Sequence, residues 1–257
     1  MPKASVITPL FNGERHVLET IASVQNQTFT DYEHIIIDNG SSDRGLVLVK
    51  EAASKDDRIV ILSNDDTPGA GPTRNMGIER AKGDIITFLD ADDQWLPNKL
   101  AHQIEFMEKH NLGFCWTSYE TQDTEGNKLQ VIKADRSATY ADWLYKRTSI
   151  GCLTAAYDVR LLGKNYMNHL PMRQDFCLWL DLMKKSDQDG IAYGGLQEIL
   201  ARYRVHSDGM TSNKFKAAKM QWRAYREHVG LSPLATVSVF ASYATLSILR
   251  RTLLKNT

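Results

Sequence analysis

The sequence predicts an α/β fold: a mostly parallel central sheet with helices on both faces, plus a helical extension at the C-terminal end. Three observations carry this reading. Between Ala4 and His110, short apolar strand-like runs alternate with segments of helical periodicity, and strands separated by helices pair in parallel beneath those helices. The 257 residues, 42% of them hydrophobic, suffice for one large domain with a sizeable core. From Lys214 onward eight lysines and arginines accompany a single acid, Glu227; that segment carries +7, the first 213 residues −7, and the whole chain zero.

The elements follow in order. Ala4 to Thr8 is a short β-rich run ending at Pro9. From Arg15 to Gln27, Val17, Leu18, Ile21 and Val24 recur at helical spacing. His34 to Asp38 (HIIID) is a buried-type strand stopped by NGSSD, and a helix follows over Gly45 to Ser54. Arg58 to Ser63 is a third strand, stopped by NDDTPGAG, after which a helix beginning near Pro72 runs to Lys82. Asp84 to Asp90 is the fourth strand, and Pro97 fits the first turn of a helix reaching His110. The second half is less regular. Strands are expected at Gly113 to Glu120, Lys128 to Lys133 and Glu198 to His206, and a helix at Phe176 to Lys185. The organisation reads as one domain over residues 1–212 and a basic, apolar extension over residues 213–257.

Composition excludes several classes. A zero net charge gives no global basic surface for nucleic acid. The three cysteines, Cys115, Cys152 and Cys177, have no metal-ligand spacing and form no disulfide framework, which fits a reducing compartment. The N-terminal residues lack the pattern of a secretion signal, and no run reaches the length of a spanning helix. The expectation is a cytoplasmic protein, peripheral at the inner face of the cell membrane. In the extension, Phe215, Ala218, Trp222 and Tyr225 share a helical spacing, and the apolar run beyond Leu234 ends in basic residues. Such a segment fits the membrane interface, or a helical pair packed on protein.

In an open parallel sheet, ligands bind beyond the carboxyl ends of the strands. Three of the four predicted ends carry carboxylates: Asp38, the Asp65–Asp66 pair, and Asp90 with Asp92. Each alone is ordinary turn chemistry; together they predict one acidic cleft. Asp90 and Asp92, separated by the small Ala91, can share a hard divalent cation with phosphate oxygens and water.

The segments VITPLFNGERHVLETIASVQNQTFTDYEHIIIDNGSSD, GPTRNMGIERAKGDIITFLDADDQW, RQDFCLWLDL and LARYRVHSDGMTS, in that order, resemble the blocks of the family 2 glycosyltransferases. The resemblance covers roughly Ala4 to Ser212. It implies the GT-A fold, a nucleotide-sugar donor, more readily UDP-linked than otherwise, and inverting transfer to a glycan acceptor. It also implies roles. Thr8 and Asp38 would line the nucleotide pocket, with Asp65 at the same rim. Arg74 would face the nucleotide or its diphosphate. Asp90 and Asp92 would hold the donor through Mn²⁺ or Mg²⁺. Asp175 falls at the catalytic base, and His206 at a further metal or diphosphate contact with Arg204 nearby. Two departures stand out: Asn39 follows Asp38 where the family has a second acid, and Gln174 precedes Asp175 where the family has Glu.

The chemistry implied needs a cation to stabilise the departing diphosphate and a carboxylate to take the acceptor hydroxyl's proton. The acceptor expected is a glycan on a polyprenyl diphosphate lipid, such as an O-antigen or capsule unit. Two rivals remain open. A nucleotidyltransferase would want a Gly-rich, basic loop after the first strand, where TPLFNGER has one glycine and an acid. A silent nucleotide- or sugar-binding module would bind a donor without turning it over.

Overall fold

The computed structural model describes residues 1–64, 67–206 and 214–254, the side chains at 214 and 247–254 excepted. The first half alternates as expected: β1 (Ala4–Leu10), α1 (Val17–Gln25), β2 (Tyr32–Asp38), α2 (Gly45–Ala53), β3 (Ile59–Ser63), α3 (Ala70–Arg80) and β4 (Ile85–Phe88). β3, β2, β1 and β4 lie side by side, all parallel. Every residue of β2 is buried, the mark of a strand covered on both faces. Side-chain alternation splits the core accordingly. Ile7, Ile37 and Phe88 join Phe114, Trp116 and Trp179 in one cluster. Val6, Ile85 and Leu89 join Leu100, Ile104 and Met107 in another.

The second half is mixed. It comprises β5 (Gln94–Trp95), α4 (Lys99–His110), β6 (Leu112–Gln122), β7 (Lys128–Ile132), α5 (Tyr140–Leu144), β8 (Ala156–Asp158), α6 (Val159–Leu162), α7 (Gln174–Asp189) and β9 (Ala192–Arg204). The sheet continues β4–β8–β6–β9–β5, with β8 antiparallel to both neighbours and β6 parallel to β9. The three-residue β8 carries too short a pattern to read from sequence. β9 begins six residues before the expected Glu198, because YGGLQ reads as a turn yet pairs along β6. Its Gly195 is required there: a Cβ would lie 2.3 Å from the Asp135 carbonyl oxygen.

The C-terminal residues form α8 (Lys214–Arg223), a π turn at Ala224–His228, and α9 (Pro233–Leu254). The expected face is corrected in part. Ala217, Met220, Ala224 and Tyr225 are buried, whereas Phe215 is 92% exposed. Ala224, Tyr225 and Val239 belong to the main core cluster. Tyr225 Oη donates to the Leu144 carbonyl at 3.0 Å, and His228 Nε2 lies 3.0 Å from Asp181 Oδ1 of α7. Among the described residues, no helix is long and apolar enough to cross a membrane.

Candidate active site

The parallel strands end at a cleft of about 610 Å³, where ligands of open α/β sheets bind. One wall is the turn after β1, from Pro9 through Gly13 to Arg15 and His16. The opposite wall is Pro68 to Ala70 and Arg74, at the start of α3. Asn39 follows β2 into the lining, and Asp90, Ala91, Asp92 and His206 complete it. α3 is preceded by Gly69, whose φ of 121° only glycine adopts readily, and no side chain caps the helix. Its first amides are therefore directed at the cleft end of the helix, where the dipole favours an anion.

The acidic turn after β4 is built in layers. Asp90 pairs with the Arg74 guanidinium. Asp92 Oδ2 lies 2.8 Å from His206 Nε2. Asp93 is buried and accepts from the Arg204 backbone amide at 2.8 Å. Burial, then the charge of Asp90, raises the Asp92 carboxyl above its ordinary range, against the pull of His206. Burial, then Asp92 and Asp90, raises Asp93 well above it. Burial opposes the charge on Arg74, but Asp90 and, more weakly, Asp175 hold the guanidinium firmly protonated. Burial and Arg204 push the His16 ring down, and both its nitrogens are buried without a hydrogen-bond partner, although Nδ1 lies 3.8 Å from Glu19 Oε1.

This donor set fits a hard divalent cation. Carboxylates crowded by one another and by burial gain from added positive charge, and an imidazole nitrogen stands beside them. Among the described residues no group of three or more acidic, His or Cys side chains is poised to hold an ion alone. Mn²⁺ and Mg²⁺ are commonly held by one or two carboxylates, with water and phosphate oxygens completing the shell.

The structure thus brings Arg74, Asp90, Asp92 and His206 together. It places the others differently. Thr8 is fully buried, its Oγ1 2.9 Å from His34 Nε2, and does not line the cleft. Asp38 is buried behind Asn39 and accepts from the Ser41 amide at 3.3 Å. Asp65 lies outside the described residues. Arg204 turns inward: Nε donates to the Asp92 carbonyl at 2.9 Å and Nη2 to Glu19 at 2.7 Å. It therefore braces the turn rather than facing the cleft. Asp175 opens α7, outside the cleft lining, yet near enough for its charge to act on Arg74. Gln174 lies against Gly71 of α3, where a Cβ would come within 2.6 Å of its Nε2. The two helix starts therefore meet.

Arg15, His16 and Gly69 line the cleft without having been singled out from the sequence, and Asn39, noted there only as a departure from the family's second acid, lines it too. The signal available was their position just beyond strand ends.

The family model of Glycosyl transferase family 2 matches residues 5–162. TuaG of Bacillus subtilis (strain 168), named for teichuronic acid biosynthesis, is 37% identical over 251 residues, covering 97% of this chain and 98% of its own. The Escherichia coli UDP-Glc:α-D-GlcNAc-diphosphoundecaprenol β-1,3-glucosyltransferase WfgD is 34% identical, with 95% and 93% covered. Among solved structures, Staphylococcus aureus TarS 1–349 in complex with UDP superposes with a TM-score of 0.67 at 18% identity, covering 94% of this chain and 70% of that one. The Pyrobaculum calidifontis mannosyltransferase PcManGT, in complex with GDP-Man and Mn²⁺, gives 0.65 at 15% identity, with 95% and 70% covered.

Proposed function

The chain belongs to glycosyl transferase family 2 and has the GT-A fold, and from that premise we propose that it transfers a sugar from a UDP-sugar to a hydroxyl of a lipid-linked glycan. The acceptor class is a polyprenyl diphosphate intermediate of a bacterial surface polysaccharide. The work is done at the cytoplasmic face of the membrane, with the cleft in residues 1–212 and residues 213–257 as an appended segment. The observation that carries this reading is the meeting of Arg74, Asp90, Asp92 and His206 in the lining of the cleft. Support for the donor and the acceptor comes from the UDP complex of TarS and the lipid acceptor in the name of WfgD.

The residues then divide the task. The base lies at the β2 end, against Asn39, with Asp38 fixing the turn behind it. The diphosphate lies at the start of α3, where free amides and Arg74 meet its charge. Asp92 and His206, with Asp90 beside them, are the residues that would hold Mn²⁺ or Mg²⁺. When bound, the ion acts as a Lewis acid on the leaving diphosphate. Asp90 also keeps Arg74 aimed, and Arg204 keeps the Asp92 backbone in place. Asp175 lies in the first turn of α7. As general base it takes the proton of the acceptor hydroxyl as that oxygen bonds to the anomeric carbon. Attack opposite the departing diphosphate inverts that carbon.

The test is nucleotide release across a panel of nucleotide sugars with Mn²⁺, Mg²⁺ or EDTA, with membrane extract as acceptor source. One donor turns over, and EDTA abolishes it. Asp175→Asn binds that donor within about threefold of wild type but transfers about 10²–10⁴ times more slowly. Unchanged transfer by Asp175→Asn removes the base assignment. UDP binding without turnover of any donor leaves only a binding module.

A further inference from the structure

Two outward stripes on the C-terminal helices are left over once the site is accounted for. α8 packs inward through Ala217, Met220 and Gln221, and the turn beyond it through Ala224 and Tyr225. On the opposite side, at spacings of four, three and four, stand Phe215, Lys219, Trp222 and Arg226, all exposed. Two aromatic rings thus alternate with two cations along one line. The acid nearest this line, Glu227, is paired with Arg223. α9 packs inward through Thr236 and Val239 and turns outward Leu234, Val237, Ser238, Ala241 and Thr245. Leu234 is 86% and Val237 56% exposed. Residues 233–249 contain no charged side chain, and charge returns at Arg250 and Arg251. Trp222 meets Phe240 edge-on with ring centroids 5.4 Å apart, so the α8 stripe adjoins α9.

A water-facing helix ordinarily carries its charges on the outer face; α9 carries none there over the described side chains. Aromatic rings interleaved with long cations suit a headgroup layer, where rings sit at the boundary and cationic tips reach phosphate. The sign of the charge chooses between occupants. A second copy of the chain packed through the same C-terminal segment would bring +7 against +7, and protein interfaces are depleted in lysine. An anionic surface attracts the same residues.

We propose that α8 and α9 form a docking surface for an anionic lipid bilayer, with Phe215, Trp222, Leu234 and Val237 entering the interface and Lys219 and Arg226 meeting phosphate. This deepens the proposed function, on which it rests for its purpose: it puts the enzyme where a lipid-carried acceptor is found. The surface is also joined to the acceptor side of the site. Arg173, two residues before Asp175, donates from Nη2 to Tyr243 Oη of α9 at 3.3 Å.

Co-sedimentation of the full chain with phosphatidylglycerol–phosphatidylcholine vesicles tests this. Wild type pellets with them, releases in high salt, and stays in solution with phosphatidylcholine alone. Each cation near such a surface is worth about fivefold in partitioning. Lys219→Glu with Arg226→Glu therefore lowers binding by well over about tenfold, and Phe215→Ser with Leu234→Ser, two highly exposed positions, lowers it comparably. Donor hydrolysis in the same tubes, unchanged in these variants, shows that they are folded and separates the two claims. Donor turnover without vesicle binding overturns the docking surface and leaves the enzyme reading standing. Vesicle binding without turnover of any donor does the reverse. A dimer at sedimentation equilibrium that both variants dissociate, with no vesicle binding, assigns the stripes to a second copy instead.

Discussion

Lys99 is fully buried at the first residue of α4, its Nζ donating to Thr87 Oγ1 at 2.6 Å and standing 3.7 Å from the centre of the Trp95 ring. Burial drives its ammonium pKa well below the ordinary value, with Cys115 opposing weakly. The unfolded chain then holds a proton there that the folded chain lacks, so folding grows more favourable as pH rises toward about 10.4, the unfolded value. Lys99→Met is expected to stabilise the protein by on the order of 1–3 kcal/mol at neutral pH. The gain should shrink toward pH 10 in urea titrations. A constant gain across that range would mean that Lys99 is charged in the fold. At this scale the sequence was legible where residues are neighbours. Asp90 and Asp92 announce themselves by spacing, whereas His16 and Asn39 reach the cleft only because their strands lie side by side. Arg204, expected at the site because the family resemblance places it beside His206, instead ends β9 with its guanidinium donating to Asp92 and Glu19.

Helix α3 shows how an element is placed for function. Gly77 lets it lie directly on the sheet, since a Cβ there would sit 2.6 Å from Ile7 Cγ2 and 3.0 Å from Ile37 Cδ1. That seat aims its first turn and Arg74 at the cleft. Gly77→Ala should therefore destabilise by about 1–3 kcal/mol through overpacking, although alanine alone favours a helix by up to about 1 kcal/mol. Equilibrium unfolding reads the sign directly; a net gain would mean that the helix can rise at no cost. The α/β alternation was legible because each apolar run is bounded by turn residues. The short β8, the early start of β9 and the two added residues before Phe176 in α7 were not, since tertiary pairing overrides local signals there.

The parallel half of the molecule has a buried titratable group at its centre. His34 in β2 is fully enclosed, and burial lowers its pKa to about 3, with Asp56 opposing. Above the unfolded value of about 6.5 it costs nothing. As pH falls below that, the unfolded chain takes up a proton that the folded chain refuses until about 3. Stability should drop by about 1.4 kcal/mol per pH unit through that window, roughly 2 kcal/mol by pH 5. In His34→Leu that part of the acid slope is absent. Parallel urea titrations of both proteins near pH 7.5 and pH 5 compare them; equal slopes would contradict a neutral His34.

The central claim is that the cleft holds a nucleotide diphosphate together with a divalent cation at Asp92. Calorimetric titration of UDP into wild type and Asp92→Asn, each with and without Mn²⁺, tests it most directly. The two ligands should assist one another through the site, with UDP binding at least about tenfold tighter with Mn²⁺ in wild type and the gain lost in Asp92→Asn. UDP affinity that is the same in all four titrations would contradict it.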